Sequence, residues 1–254
     1  MSERLVLLLE ELAANAWPAA IVQVVDGWRL RFNWGVTRRA NSTWPNAACG
    51  LYGLDAKLSL VENWYACRGL PARYQICPAS QPPYLDAILA ERGYRQEART
   101  CVQTAALATV LQHTSNSLAA SVVVTATFDA AWFDTYCQAE QATASTAEER
   151  RSIMGRISPP TGYALLSIDE QPAAIGLGVA ERGWMGMFCM ATQPAFRRRG
   201  AATAVLYALA QWGQQQQATQ IYLQVMEQNA PARAAYERVG FTTLYHYHYR
   251  ELAT

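Results

Sequence analysis

From Gly162 onward the apolar positions change period in a regular order. "GYALLSI" and "AAIGLGVAE" are strand-like runs joined by "DEQP", a turn composition, and "WMGMFCMAT" follows after Arg182 and Gly183. The spacing predicts three successive antiparallel strands. Ala202, Val205, Leu206, Leu209 and Trp212 then recur at helical spacing, with Gly213 near the expected end of an amphipathic helix. "QIYLQVM" predicts a strand. "APARAAYERVG" predicts a short helix with Pro231 in its first turn and Gly240 at its C-terminal cap, and "FTTLYHYHY" a last alternating strand. Upstream, "SVVVTATF" reads as a strand. "STAEERRSIMGRI" opens with Ser145 and Glu148 at capping-box spacing and predicts a helix start.

The N-terminal half follows similar rules with weaker signals. A first amphipathic helix is predicted in "MSERLVLLLEELAANAWP", whose apolar run is too short to span a bilayer and lacks a cleavage pattern. Strands are predicted in "GWRLRFNWG", "ARYQICP" and "EARTCVQTAAL", and helices in "LDAKLSLVENWYACRG" and "PYLDAILAERGY", the latter closed by Gly93. "LAERGY" followed by a strand is echoed about 147 residues later by "YERVGF" followed by a strand, which suggests a duplicated βαβ unit. The polar stretch from Leu111 to Ser121 is the linker candidate. It divides the 254 residues into units of 1–115 and 118–254.

Composition narrows the function classes. With 51% hydrophobic and 16% charged residues, the chain can bury a sizeable core. The net charge of +1 argues against binding nucleic acid through a generally basic surface, so any basic function must be local. Lys57 is the one lysine among 21 basic residues. The rest are arginines, suited to bidentate phosphate or carboxylate contacts. Six scattered cysteines without a C-x-x-C pair read as free thiols of a reducing compartment, which places the protein in the cytoplasm. His246 and His248 share one face of the last strand, but no carboxylate or cysteine stands near them in sequence, so no metal is expected. Of Trp28, Trp34, Trp44 and Trp64, most are expected in the core, with some free to wall a pocket between the halves. "TRRANS", Thr37 to Ser42, reads either as part of such a pocket or as an ordinary turn.

The local basic function has a clear candidate. "ATQPAFRRRGAATAVLYALAQWG" sets Arg197, Arg198 and Arg199 at the start of a helix, where cations are disfavoured by the helix dipole unless an anion compensates them. The unpaired N–H groups of a helix start favour an anion, Gly200 permits close backbone approach, and Ala201 and Ala202 keep side chains clear. A pyrophosphate suits this turn. It has neither the lysine and hydroxyl of a Walker loop nor the spacing of G-x-G-x-x-G.

At these residues the sequence resembles the GNAT superfamily of acetyl-CoA-dependent N-acetyltransferases. Arg197-Arg198-Arg199-Gly200-Ala201-Ala202 matches the family's R/Q-x-x-G-x-G/A turn between a strand and a long helix. "LQVMEQNAPARAAYERVGF" matches the second half of its cofactor site, with Asn229 after a strand and Tyr236 ahead of Gly240-Phe241. "GWRLRFNWGVTRRANSTWPN" resembles the leading segment of two-part members whose first half is a degenerate copy. The resemblance implies an α/β (α+β) fold, a mixed, mostly antiparallel sheet flanked by helices, with a second GNAT-like domain at the N-terminus.

It further implies that acetyl-CoA is the co-substrate. The backbone of Cys189, Met190 and Ala191 would hold its pantetheine arm, Asn229 would line the arm or cap a helix, and Tyr236 would be the acid that protonates the departing thiolate. The family's strand carboxylate is missing; Cys189 stands near its place. Glu227 is the named candidate base and Glu181 a second one, and each reads equally well as a solvated carboxylate. Direct transfer to the primary amine of a small molecule, peptide or protein is the implied reaction. A non-catalytic CoA sensor is the alternative. No nucleic-acid or membrane partner is expected, and since sheets of the family often pair at their edges, a homodimer is compatible with the resemblance.

Overall fold

The computed structural model describes residues 2–114, 118 and 121–252. The first half contributes α1 (Glu3–Asn15), β1 (Ile21–Val25), β2 (Trp28–Phe32), β3 (Thr43–Trp44), α2 (Leu54–Ala66), β4 (Arg73–Ile76), α3 (Leu85–Glu91), β5 (Tyr94–Ala106) and α4 (Leu107–Thr114). The second half contributes β6 (Val122–Thr125), α5 (Ala130–Ala139), α6 (Ala144–Gly155), β7 (Thr161–Ile168), β8 (Gln171–Glu181), β9 (Trp184–Thr192), α7 (Ala201–Gln215), β10 (Gln220–Met226), α8 (Ala230–Arg238) and β11 (Thr242–Leu252). All the described strands join one sheet in the order β1-β2-β3-β4-β11-β5-β10-β9-β8-β7-β6.

The centre of that order interleaves the halves. β5 pairs antiparallel with β10 on one edge and with β11 on the other, and β11 continues onto β4. The two segments that echo in sequence therefore stand in matching places, each a helix leading into one of the two central strands. Neither half can leave without breaking ladders along both edges of β5, so the sheet is expected to unfold as a unit.

Helices cover both faces of the second half for a reason visible in alternate residues of its strands. Tyr163, Leu177 and Val179 turn to the core beneath α1, α5 and α6. There the Trp132 indole N–H donates to the carbonyls of Ala164 and Gly176. Ala164 and Leu166 turn the other way, toward α4 and α7. On that side Gly162 and Gly178 are register partners, and a Cβ on Gly162 would lie 2.7 Å from the Trp212 ring of α7. At Gly176 it would lie 2.9 Å from Leu209 and Val205. Glycine there lets α7 settle onto the sheet. A third core packs α2 and α3 on β2 and β4 around Trp28, Leu58, Tyr65 and Tyr74.

Several expectations need correction. Gly213 stands near the end of α7, as expected, but not as its stop: the helix runs on to Gln215, and Gly213 is buried where a Cβ would meet the Met185 sulfur at 2.6 Å. The capping box of α6 is made by Thr143 and Thr146, so Ser145 lies inside the first turn. The linker candidate begins inside α4, which covers Leu107–Thr114, and residues 115–117, 119 and 120 of it lie outside the described residues. β1 was not expected because its Ile21, Val22 and Val24 are exposed. Its signal was the Asp26-Gly27 turn, both residues at positive φ, with Asp26 ion-paired to the buried Lys57 at 3.1 Å.

Gly162→Ala is expected to destabilise the protein by about 1–3 kcal/mol through overpacking against Trp212, and pairing it with Trp212→Leu to recover part of that loss. Urea unfolding of the two single variants and the double variant checks this.

Candidate active site

The site is made where two neighbouring strands stop pairing. β9 and β10 run parallel from Trp184 and Gln220 only as far as Met187 and Leu223. Beyond that point each keeps its outer partner, β8 and β5 respectively, while the inner edges part. The cause is a bulge in β9. Leu177 faces Phe188 and Ile175 faces Ala191, so Cys189 and Met190 stand opposite Gly176 alone, and Cys189 takes φ +52°. With the bulge β9 leaves its pairing with β10 beyond Met187, and Cys189 and Met190 line the gap while Ala191 lines the groove beyond it.

A cavity of about 290 Å³ fills the gap, lined by Arg39, Glu140, Cys189, Gln224, Asn229 and Tyr236 among others. A second one of about 580 Å³ adjoins it, sharing Glu140, Cys189, Met190 and Asn229, and reaches Arg197. Together they make a groove from the strand gap to the arginine turn. In that turn Pro194–Phe196 form a short 3-10 segment pinned by the buried Phe196, and Arg198 and Gly200 take φ of +61° and +82°. A turn of this kind aims successive N–H groups to one side, at the positive end of α7. All three arginines are exposed. Arg197 donates to the Thr192 carbonyl at 3.4 Å and Arg199 lies over the Phe196 ring; none of the three ion-pairs with a carboxylate among the described residues.

On the other side of the gap, α8 is fixed at both ends. The Asn229 side chain accepts the Ala232 N–H at 3.2 Å as its N-cap. At the other end, the Gly240 N–H donates to the Glu237 carbonyl and the Phe241 N–H to the Tyr236 carbonyl, with Gly240 at φ +101°. This is a Schellman closure, and the Tyr236 and Phe241 rings make the apolar contact that accompanies it, 5.7 Å between centroids. The helix end thereby holds Tyr236 in the gap. Burial pushes its phenol up to about 12. Burial also pushes the Cys189 thiol up to about 12, against the pull of the nearby Arg39.

The structure thus brings Cys189, Met190, Asn229 and Tyr236 to one cavity, and Ala191 and Arg197 to the adjoining one. Arg198, Arg199, Gly200, Ala201 and Ala202 form the turn beyond. Glu227 lies outside both cavities, with its carboxylate 3.4 Å from Arg99 and 3.6 Å from His246. Glu181 lines a separate cavity of about 700 Å³ between the halves, bound by Asn15 and Arg182. His248 pairs with Asp86 at 2.8 Å, away from His246, and no group of three or more metal-ligating side chains occurs among the described residues. Trp28, Trp44 and Trp64 are core and Trp34 is exposed; Trp44 also lines the cavity between the halves.

Sequence reasoning missed two cavity residues, Arg39 and Glu140. "TRRANS" had marked the segment, but nothing local separates Arg39 from Arg38, and Glu140 is one more polar residue after a helix. Among the described residues no helix is long and apolar enough to cross a membrane.

A sheet with a strand gap beside an arginine-rich helix start is a fold of the acyltransferase kind, and the comparisons agree on the fold and the family. Residues 6–251 match the family model described as "Probable histone acetyltransferase Rv0428c C-terminal". The chain is 30% identical over 244 residues to the "Uncharacterized N-acetyltransferase YobR" of Bacillus subtilis (strain 168), covering 95% of this chain and 96% of the relative. The fold is similar to that of a GCN5-related N-acetyltransferase from Kribbella flavida, with 15% identity, TM-score 0.69 and coverage of 100% and 96% of the two chains. It is also similar to a tandem GNAT protein from the clavulanic acid biosynthesis pathway, with 12% identity, TM-score 0.58 and coverage of 82% and 73%. The chain belongs to the GNAT N-acetyltransferases.

Two outcomes are expected from the packing of Tyr236. Gly240→Ala puts a Cβ 2.6 Å from Thr109 at a left-handed position, so it should cost at least about 1 kcal/mol in chemical unfolding. Tyr65, Tyr163 and Tyr236 are all raised from 10 to about 12 by burial. Because the fold favours their neutral form, their contribution is complete below about pH 10 and is lost as pH rises through about 12. Thermal melts across this range should show the melting temperature falling only on the alkaline side of pH 10.

Proposed function

We propose that this acetyltransferase takes acetyl-CoA as its donor and passes the acetyl group directly to a primary amine. The observation that carries the reading is the continuous groove from the parted strands, with Tyr236 inside, to the arginine turn at the start of α7. Arg197, Arg198 and Arg199, with the N–H groups of Gly200, Ala201 and Ala202, would hold the pyrophosphate. The pantetheine arm would lie along Cys189, Met190 and Ala191 as a substitute strand, with Asn229 opposite. A backbone N–H at the bulge would stabilise the thioester oxygen as it gains charge.

In the reaction, the amine nitrogen, after giving one proton to Glu140, bonds to the thioester carbonyl carbon. The oxyanion so formed collapses, the carbon–sulfur bond breaks and the sulfur leaves with its electron pair, while the nitrogen releases its second proton to water, from which the Tyr236 phenolate is later reprotonated. Tyr236 supplies the proton to that sulfur. The thiolate forms beside the buried phenol, where desolvation raises its proton affinity as it does that of the phenol, so the transfer is better matched than values in water suggest. For the base we assign Glu140, the carboxylate that lines both cavities, held by Arg150 at 3.0 Å, in place of Glu227 with its partners outside them. It draws the ammonium into the gap and receives its proton through water at the cavity mouth. A protonated Cys189 thiol is a poor nucleophile, which supports direct transfer over an acetyl-cysteine route. We also propose that residues 1–115 and 118–254 are two GNAT-like units that exchange their last strands, β5 and β11, across the centre of the sheet.

Calorimetric titration with acetyl-CoA tests the donor site. Wild type is expected to bind, and Arg198→Glu combined with Gly200→Trp to weaken binding by at least about a hundredfold. Absence of binding by wild type overturns the reading. Tyr236→Phe should keep acetyl-CoA affinity and slow CoA release on the order of a hundredfold; unchanged turnover removes Tyr236 from the mechanism. Binding with no CoA release from any amine would return the sensor alternative.

A further inference from the structure

The segment around Thr37 to Ser42 is built more tightly than a turn between strands requires. Asn41 is fully buried and uses its whole amide on the loop. Its Oδ1 accepts the N–H groups of Asn33 and Gly35 at 2.7 and 3.0 Å, and its Nδ2 donates to the carbonyls of Val36 and Thr37, both at 2.8 Å. Thr37 takes φ +63°, and its hydroxyl accepts the Trp17 indole N–H at 3.1 Å. A loop fixed at this many points places its side chains with little freedom.

Two adjacent arginines leave this loop and meet opposite fates. Arg38 is paired, with Glu97 at 3.9 Å and Glu251 at 3.7 Å. Arg39 makes no hydrogen bond or ion pair with a described residue. Its guanidinium sits 5.5 Å from the Trp17 ring and 5.6 Å from the Phe188 ring, and it lines the strand-gap cavity that also holds Glu140, Cys189 and Tyr236. Phe188 is the residue just before the bulge, so this cation stands beside the place where the thioester would react.

A guanidinium drawn into a partly dry cavity without an anion is costly, and stacking on two rings offsets only part of the cost. The rings take up none of its N–H donors, and a guanidinium with free donors is the group that a carboxylate meets with two parallel hydrogen bonds. The donor's phosphates are accounted for at the arginine turn, and its thioester end is neutral. The missing anion therefore belongs to the acceptor.

We propose that Arg39 binds the carboxylate of the acceptor, so that the acceptor is a small primary amine bearing a carboxylate, with a free α-amino acid as its simplest form. This rests on the acetyl-transfer reading above. The two poles of such a zwitterion find complements in one cavity, the carboxylate at Arg39 and the ammonium at Glu140. A cavity of about 290 Å³ suits a small molecule better than a folded partner. The first half of the chain thereby contributes to the site the one group that selects the acceptor.

The test supplies acetyl-CoA with each of the common free α-amino acids, with their C-terminal amides, and with a lysine peptide blocked at both ends, and follows release of CoA. At least one free amino acid should exceed its amide in kcat/KM by about a hundredfold, chiefly through KM. In Arg39→Gln that ratio should collapse to near one, and Arg39→Lys should restore part of it. Since Arg39 has no hydrogen bond or ion pair with a described residue to lose, and its two ring contacts lie at 5.5 and 5.6 Å, R39Q should melt within a few degrees of wild type. Equal use of acids and amides, or preference for the blocked peptide, overturns the role of Arg39 while acetyl transfer stands. Failure to bind acetyl-CoA sinks the reading beneath both. If acetyl-CoA binds but no amine is turned over, calorimetry of N-acetyl amino acids with the CoA-bound protein decides. Binding lost in R39Q supports the proposal, and no binding by wild type overturns it.

Discussion

The hydrogen-bond ladders along both edges of β5 are what the remaining architecture rests on. On one edge they tie the first half of the chain to β10, and on the other to β11, the last strand of the second half. A parallel strand that lost its partner on both sides would expose a run of unsatisfied backbone groups. Here β10 can abandon β9 beyond Leu223 because its outer edge is fully engaged with β5 out to Met226. The gap that serves the chemistry is a consequence of pairing secured elsewhere.

The same interleaving decides what surrounds the gap. α7 is drawn close to β7 and β8 by glycines, which carries the arginine turn to one end of the groove. The bulge at Cys189 sets the other end, and the Schellman closure of α8 sets Tyr236 between them. These are backbone devices, none of which relies on a surface ion pair. The charged residues then divide by function. Arg38, Arg73 and Arg250 are engaged with Glu251 or Asp86 and serve the fold, whereas Arg39 and the arginines at 197–199 face cavity or solvent without carboxylates. Arginine in the first group is worth little singly; in the second its donors are left available for an anion, as the proposed donor and acceptor sites require.

From β7 to α8 the second half was legible in the sequence to within a residue or two, because alternating strands and an amphipathic helix carry their periods locally; α5 (Ala130–Ala139) was not foreseen, and β6 stops at Thr125, short of the expected strand. The arginine turn was legible for the same local reason, being six residues of consecutive chain, Arg197 to Ala202. Errors fell where a neighbour overrides local preference. Gly213 looked like a helix stop, yet its reason is the Met185 sulfur against it. Ser145 looked like a cap, yet Thr143 meets the backbone two residues earlier. β1 was missed since an exposed edge strand shows no buried face, although its Asp26-Gly27 turn was in plain view.

What the sequence determined by itself is therefore the set of local devices: the three-strand run, the helix with cations at its start, the asparagine that caps α8, and the Tyr236 and Gly240 spacing that closes it. Tertiary structure alone decided which carboxylate reaches the cavity, Glu140 and not Glu227, and which of two adjacent arginines has no carboxylate partner among the described residues. The physical reason is range. Helix periods, caps and turns are satisfied by hydrogen bonds within a few residues, so a short stretch encodes them. The fate of a charge depends on what lies within a few ångströms of it, and for Arg39 that is set by Trp17 and Phe188 and by the interleaving of β5 and β11, which brings distant parts of the chain together.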